Sequence, residues 1–528
     1  MTEVLPVEGF NFGPILIAQQ PFSALPWVVM LPLIAALLCF TLYNIKAQRV
    51  ISLLLGIGQM LLTVWLASII ADDAASSVVH QLGGWPAPLG IVLTLNGFSA
   101  LLLVMAAAIG FAITVYSCRY FTSSEQERKF WPLFWLLLVA LNGIFISSDI
   151  FNLYVMLEIL GLSAVSLVAI QAQRGALQAA LQYLLVGLCG SLLYLFGVAL
   201  LYRTYGVLDI NLLSKVVIAE PVSQLALTVI TLGLLLKTAL FPLHFWLPSA
   251  HSNAPAPVSA ALSALVIKGS FYLLFVFWFK ILSPAATFAG ATFLGVLGAI
   301  AIVWGSVKAF NTPRLKLVVA YSTVAQLGYL FVLFPLFFGR PDLAMGAVAY
   351  FIVAHACAKA AMFMAAGSIQ KAAGHDDIAR MSGIASKMPL SIFIFAIAGA
   401  SLIGLPPTGG FIAKWLMLTS AIESQQWWWV LVMLAGGLLA AAYLFRILNL
   451  AFTSGQDVPS EPLKNGPRER LWGPLILVTI TIFIGFNAMW VLELLNAGTG
   501  VFALQPTDGL MTELANGSVN TAPSKEGL

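Results

Sequence analysis

Charge is scarce in this sequence. Only 9% of its 528 residues are Asp, Glu, Lys or Arg, whereas 60% are hydrophobic and the mean hydropathy is +0.97. Soluble domains run near a quarter charged, so a chain this apolar could not cover its surface in water. A soluble enzyme and a nucleic-acid binder are excluded. Cysteine is scarce too: Cys39, Cys118, Cys189 and Cys357 stand far apart, with no Cys-x-x-Cys or Cys/His spacing. A disulfide-stapled scaffold, a metal site and an iron–sulfur cluster are not indicated, and no cofactor or catalytic residue is expected in this chain. Residues 1–26 hold Glu3 and Glu8 but no basic residue, so the positive n-region of a signal peptide is missing. Alternation of apolar and polar residues is missing as well, which excludes a transmembrane barrel. What remains is a series of apolar runs of about 18 residues or more, the mark of a polytopic all-α membrane protein.

Fourteen helices are expected, near 27–44, 50–71, 95–117, 131–147, 150–170, 177–202, 222–243, 256–279, 287–309, 316–338, 343–368, 388–404 continuing to 424, 427–450 and 471–497. The distribution of basic residues tests that count. With both termini outside the cytoplasm, sixteen fall in cytoplasmic loops: Lys46, Arg49, Arg119, Arg128, Lys129, Arg174, Lys308, Arg314, Lys316, Lys371, Arg380, Lys387, Arg446, Lys464, Arg468 and Arg470. Five face outward: Arg203, Lys215, Lys280, Arg340 and Lys525. The polar loop 72–94, with Gly83-Gly84-Trp85-Pro86-Ala87-Pro88, reads as a set of turns. The tail 498–528 reads as mobile.

The remaining four cations lie inside spans: Lys237, Lys268, Lys359 and Lys414. Among the 21 acids only Glu158 stands near mid-span. A charge at a helix centre costs at least about 2.5–3.5 kcal/mol, so each is a functional hypothesis by default. Snorkelling to the interface is the alternative for Lys268 and Lys359. Lys237 is followed by Pro242, which removes a backbone donor and should break the helix beside the cation. Lys414 follows Gly404-Leu-Pro406-Pro407-Thr408-Gly409-Gly410, a second interruption in a span long enough for two half-helices. Broken helices survive in lipid only where they line a polar cavity, and a pair of them in two halves points to an inverted-repeat transporter. The alternative is that the prolines only make packing kinks.

Glu158 and a lysine at changing separation would act as a proton switch, since each alters the proton affinity of the other. Asp149 opens the same helix and reads as its cap. His355 and Lys359 are spaced i, i+4 and share a face, which suits a relay; a satisfied packing histidine is the alternative. His244 and His251 flank the first break and either lead toward cytoplasmic water or cap exposed backbone. Lys316 is a further candidate for that access path. Glu158, Lys237, Lys268, His355, Lys359 and Lys414 would together make a polar axis across the membrane middle.

These segments together resemble the proton-conducting antiporter family shared by complex I, energy-converting hydrogenases and Mrp-type antiporters. The resemblance covers roughly residues 27–450. It is carried by Asp149-Ile-Phe-Asn-Leu-Tyr-Val-Met-Leu-Glu158, Lys237 to Pro257, Ala320-Tyr-Ser-Thr-Val-Ala-Gln-Leu-Gly328, His355 to Gly367, and Gly404 to Lys414. The loop Gly84-Trp-Pro-Ala-Pro-Leu-Gly-Ile-Val92 is most similar to the D-type component of Mrp antiporters. The resemblance implies two inverted five-helix repeats, placed at 131–281 and 282–453, after an N-terminal segment 1–130 and before a C-terminal part 454–528. It also implies that Glu158, Lys237, Lys268 and Lys414 match the family's ionisable positions. Three positions depart from the pattern: Gln182 before Tyr183, Asn96 in the third helix, and Arg314 and Leu317 around Lys316.

The expected function is a proton-translocating subunit of a multi-subunit Mrp-type Na⁺/H⁺ antiporter in a bacterial inner membrane, working beside other membrane subunits. The alternative is a proton-pumping subunit of complex I or a membrane-bound hydrogenase, with all redox groups in partner subunits. An inert membrane scaffold is a third reading, disfavoured because a scaffold gains nothing from buried charge.

Overall fold

The structure is a computed structural model that describes residues 24–72, 77–453 and 468–496. The expected mobile tail and most of the loop 454–470 lie outside the described residues. The chain begins with α1 (Trp27–Thr41) and α2 (Ile45–Asp72). Where turns alone were expected it forms an antiparallel hairpin, β1 (Val78–Gln81) with β2 (Val92–Leu95). Then come α3 (Gly97–Tyr120), α4 (Ser124–Ile146), α5 (Ile150–Val168), α6 (Arg174–Tyr205), the short α7 (Ile210–Val216), α8 (Pro221–Thr238) and α9 (Trp246–Asn253). One long span holds α10 (Ala256–Ala261) and α11 (Ile267–Val276), joined by a π-helical segment, Leu262–Val266, and followed by a second, Phe277–Ile281. The rest is α12 (Phe288–Asn311), α13 (Leu315–Leu336), α14 (Pro341–Ala373), the one-turn α15 (Ile384–Lys387), α16 (Pro389–Ile403), α17 (Gly409–Glu423), α18 (Trp427–Phe452), α19 (Trp472–Phe486) and α20 (Ala488–Asn496).

Among the described residues, eleven helices are long and apolar enough to cross a membrane, or twelve if α19 and α20 form one broken span. Those two meet at 83°, so the expected straight span over 471–497 is bent at Asn487. α1 and α16 are apolar but shorter, at 15 residues each. Two boundaries differ from expectation for local reasons. α4 starts at Ser124, ahead of 131, because Ser123 caps it. α8 stops at Thr238, short of 243, because the residues before Pro242 leave the helical region.

Burial sorts the helices. α14 is buried along its whole apolar length, and α3, α13 and the α10–α11 span nearly so. α2, α6, α12 and α18 expose rows of Leu, Ile, Val, Phe and Trp, as helices facing lipid or other subunits do.

Two backbone clasps share one pattern. In the first, Asp149 bridges Asp209: the Ile150 amide donates to the Leu208 carbonyl at 2.9 Å, and the Ile210 amide to the Ser148 carbonyl at 2.7 Å. In the second, Arg314 bridges Asp377: the Leu315 amide donates to the Asp376 carbonyl at 2.7 Å, and the Ile378 amide to the Pro313 carbonyl at 2.8 Å. Each clasp ties the residue before one long helix (α5, α13) to the loop after the next (α6, α14). Each loop begins with a left-handed glycine, Gly206 (φ 68°) or Gly374 (φ 79°), which ends the helix at no steric cost. Each continues as Gly-x-x-Asp-Ile, and Asp209 and Asp377 accept from the amide two residues on. α3 runs from one clasp to the other. Its start follows β2, whose Val92 carbonyl accepts from the Ser148 amide, and the carbonyl of its last residue, Tyr120, accepts from Lys371 near the end of α14.

Candidate functional site

At the first break, α8 gives way at Ala239, which is left-handed (φ 59°), and the chain turns through Pro242 before α9. The Trp246 indole donates to the Leu236 carbonyl at 3.0 Å, satisfying backbone that the break frees. Lys237 on the last turn of α8 faces Glu158 on α5, with Nζ 3.8 Å from Oε1. That is within ion-pair range but beyond hydrogen-bond reach. Pairing at this distance leaves each charge able to move without first breaking a bond. Around the pair lies a cavity with about 30 Å³ open to the centres of water molecules, lined by Tyr183, Gly187, Val266 and Ser270 besides the pair. Such a space accommodates water next to the two charges. Beside it α6 and α8 approach closely: a Cβ on Gly190 would sit 2.7 Å from the Gly233 carbonyl oxygen.

A line of buried polar groups leads onward. The Thr238 and Ser270 hydroxyls lie 3.2 Å apart. Lys268, fully buried on α11, donates to the Ser263 carbonyl at 3.0 Å and lies 2.7 Å from His355 Nδ1 on α14. The π-helical turn just before Lys268 shifts the backbone register at this point, a feature frequent at functional sites. His355 therefore contacts Lys268 across the interface. Ser263 and Thr323 hydroxyls are 3.0 Å apart, and Thr323 bonds the Val319 carbonyl at 3.0 Å. Lys359, also fully buried, donates to that same carbonyl at 3.1 Å and to the Ser322 hydroxyl. Both ammonium groups are enclosed by protein and bonded within it, so neither lysine snorkels.

At the second break α16 ends at Ile403, and Gly404 (φ 92°), Pro406 and Pro407 lead to α17. The Lys414 ammonium donates to the Leu402 carbonyl at 2.8 Å and the Ile403 carbonyl at 3.0 Å, the last carbonyls of the broken helix. It lies 4.4 Å from the centre of the Tyr329 ring on α13. Gln326 also donates to the Leu402 carbonyl, at 3.3 Å. Among the described residues, no carboxylate pairs with Lys268, Lys359 or Lys414.

The three access-path candidates are all buried. His244 is buried against Trp304, ring centres 4.3 Å apart. His251 is fully buried on Phe363 at 4.7 Å, and neither ring nitrogen has a partner among the described residues. Lys316, in the first turn of α13 where a helix end was expected, is buried too and donates to the Ala254 carbonyl. Of the three departures, Asn96 caps α3 in a reciprocal box with Ser99, and Arg314 pairs with Asp376 at 3.0 Å. Of the linking residues, Ser263, Ser270 and Tyr329 lie outside the segments singled out in the sequence, and Ser322, Thr323 and Gln326 lie in the Ala320–Gly328 segment without an expected role of their own. Their signal was present: Ser322, Gln326 and Tyr329 recur at i, i+4 and i+7 in an otherwise apolar run.

Buried charges at two helix breaks inside a polytopic bundle are the arrangement that intramembrane ion paths use. Residues 147–440 match the family described as NADH:quinone oxidoreductase/Mrp antiporter, TM, and the chain belongs to it. It is 35% identical over 428 residues to NADH-quinone oxidoreductase subunit N of Desulforudis audaxviator, covering 79% of this chain and 84% of that one. It is 29% identical over 445 residues to the D component of a Na⁺/H⁺ antiporter of Alkalihalophilus pseudofirmus, covering 84% and 89%. Two solved structures share the fold at TM-score 0.83. One is the Mrp complex of Dietzia, at 22% identity over 91% of this chain and 97% of that one. The other is an archaeal membrane-bound sulfane sulfur reductase complex, at 27% over 91% and 98%.

Proposed function

We propose that this chain is the proton-translocating subunit of a multi-subunit cation/proton antiporter of the Mrp type, exchanging Na⁺ for protons across a bacterial inner membrane. The observation that carries the reading is the Glu158–Lys237 pair at 3.8 Å beside the first break. When the two separate, the desolvated ammonium releases its proton; when they meet, both stay charged. Lys268, His355, Lys359 and Lys414 then pass protons laterally, through the hydroxyls and carbonyls that connect them. His244, His251 and Lys316 belong to the access side. Fourteen spans arranged with two inverted five-helix repeats fit the chain if α1, the α16–α17 pair and the α19–α20 pair each cross. The matched clasps support that repeat, because α3 separates them by a full span. The basic loops around Arg314, Lys371, Arg380 and Lys387 put the second clasp on the cytoplasmic side, with both termini opposite.

The second reading is a pump subunit of a redox-driven complex, favoured by the higher identity to a chain named for NADH-quinone oxidoreductase. Mild-detergent purification separates the two: membrane subunits alone support the antiporter, and iron–sulfur subunits support the pump. Under either, Glu158→Gln should assemble normally and abolish proton flux in vesicles. Wild-type flux from the assembled variant would sink the switch.

A further inference from the structure

Lys414 poses a question that Lys237 does not. Its ammonium is half-buried between helices, yet its only contacts among the described residues are neutral: the Leu402 and Ile403 carbonyls and the face of Tyr329. Counted from the clasp residue that opens each helix, Thr323 on α13 stands where Glu158 stands on α5, so this half has no carboxylate at the matching place. Tyr329 is fixed for another task than filling space. Its hydroxyl donates to the Met433 carbonyl at 3.1 Å and abuts Gly436, where a Cβ would lie 2.4 Å from the oxygen. That anchors the ring and leaves its negative face free for a cation.

We propose that Tyr329 is a positioning residue that holds the Lys414 ammonium over the second break, in the place a carboxylate takes at the first. This rests on reading Lys414 as a proton carrier. The ring differs from a carboxylate in one chemical respect: it stabilises the ammonium but cannot accept its proton. The released proton must therefore travel to another group, and His355 on α14 is the titratable neighbour within charge–charge range. From α13 the titratable group facing Lys414 is Tyr329 itself, and Tyr443 on α18 is within charge–charge range of that tyrosine. α16 and α19 carry no ionisable side chain.

The test is the pH profile of cation-driven proton flux in vesicles holding the assembled complex. Tyr329→Leu and the longer Tyr329→Met remove the ring face, so the ammonium loses its proton more readily. The alkaline fall of flux should move to lower pH by roughly one unit. Tyr329→Phe keeps the face but loses the bond to Met433, and should keep the wild-type midpoint. An unmoved midpoint in Tyr329→Met overturns the proposal, as does an equal shift in Tyr329→Phe. If Phe alone assembles, ring bulk is the role and the proposal also fails. Glu158→Gln in the same vesicles separates the two levels. Wild-type flux there defeats the proton-carrier reading, whereas an inactive Glu158→Gln beside an unmoved Tyr329→Met defeats only the positioning role.

Discussion

The two broken helices solve the same problem with different chemistry. At α8 the ammonium of Lys237 meets a carboxylate across 3.8 Å, beside a cavity that admits water. At α16 the ammonium of Lys414 meets two carbonyls and a ring, all of them neutral. Opposite charge at the first break makes the attraction depend on the protonation of both partners. At the second, only the lysine can change state. In the proposed mechanism the first half therefore switches and the second half holds. The difference also bears on cost: truncating Lys237 leaves a carboxylate uncompensated, whereas Glu158→Gln still offers the ammonium an amide oxygen, and carbonyls that lose a cation are left only with unmade bonds.

The largest expected effect exploits that asymmetry. Lys237→Ala strands Glu158, and removing one member of a buried pair costs about 3–5 kcal/mol, reduced here because the glutamate is about a fifth exposed. Flux should vanish and the yield of assembled complex should fall. Lys414→Ala strands no charge, so flux should vanish while the yield stays at the wild-type level. Lys268→Ala and Lys359→Ala should slow flux without stopping it. Flux measured beside complex yield reads all four. Equal yields for Lys237→Ala and Lys414→Ala would reduce the asymmetry to geometry alone.

The clasps allow a gentler comparison. A Cβ at Gly206 or at Gly374 would meet no heavy atom within 4 Å, so only backbone strain opposes alanine there. Gly206→Ala and Gly374→Ala should each destabilise by about 1–2 kcal/mol, read as similar downward shifts in the thermal unfolding of the purified complex. A large shift from one and none from the other would mean that the two loops are not equivalent.

What the sequence disclosed follows from where its signals are local. A charge in an apolar run and a proline a few residues on are both visible within one helix, so Lys237, Lys414 and both interruptions could be read directly. Pairings between distant segments could not. Lys268 and His355 are 87 residues apart and meet through the packing of α10 and the π-helical turn Leu262–Val266 against α14, which no periodicity encodes. The i, i+4 spacing of His355 and Lys359 suggested a pair, yet tertiary packing directs the histidine to Lys268 and the lysine to the Val319 carbonyl. The clasps escaped because Gly-x-x-Asp-Ile is short, and its meaning lies in backbone bonds to another loop. The hairpin in 77–95 was read as turns because Gly83, Gly84 and the prolines dominate its middle, while the paired strands are only four residues each.

The smallest effect concerns acid and the clasps. Burial pushes both Asp149 and Asp209 above the ordinary carboxylate range; the amides each one caps pull it part of the way back, Lys280 adds a smaller pull on Asp209, and Asp149 raises Asp209 slightly. A carboxyl that holds its proton more tightly folded than unfolded adds stability below its unfolded value, and loses that gain as pH rises through the folded one. The first clasp should therefore tighten as pH falls from about 7 to about 4. The second carries instead an ion pair between Asp376 and Arg314, 45% exposed, a surface attraction worth little, and no buried aspartate comparable to those of the first. Hydrogen exchange of peptides covering Ile150 and Ile210 should slow in acid after correction for intrinsic rates, while those covering Leu315 and Ile378 should hold steady or quicken. If both clasps respond with the same sign, the buried aspartates do not govern the first one.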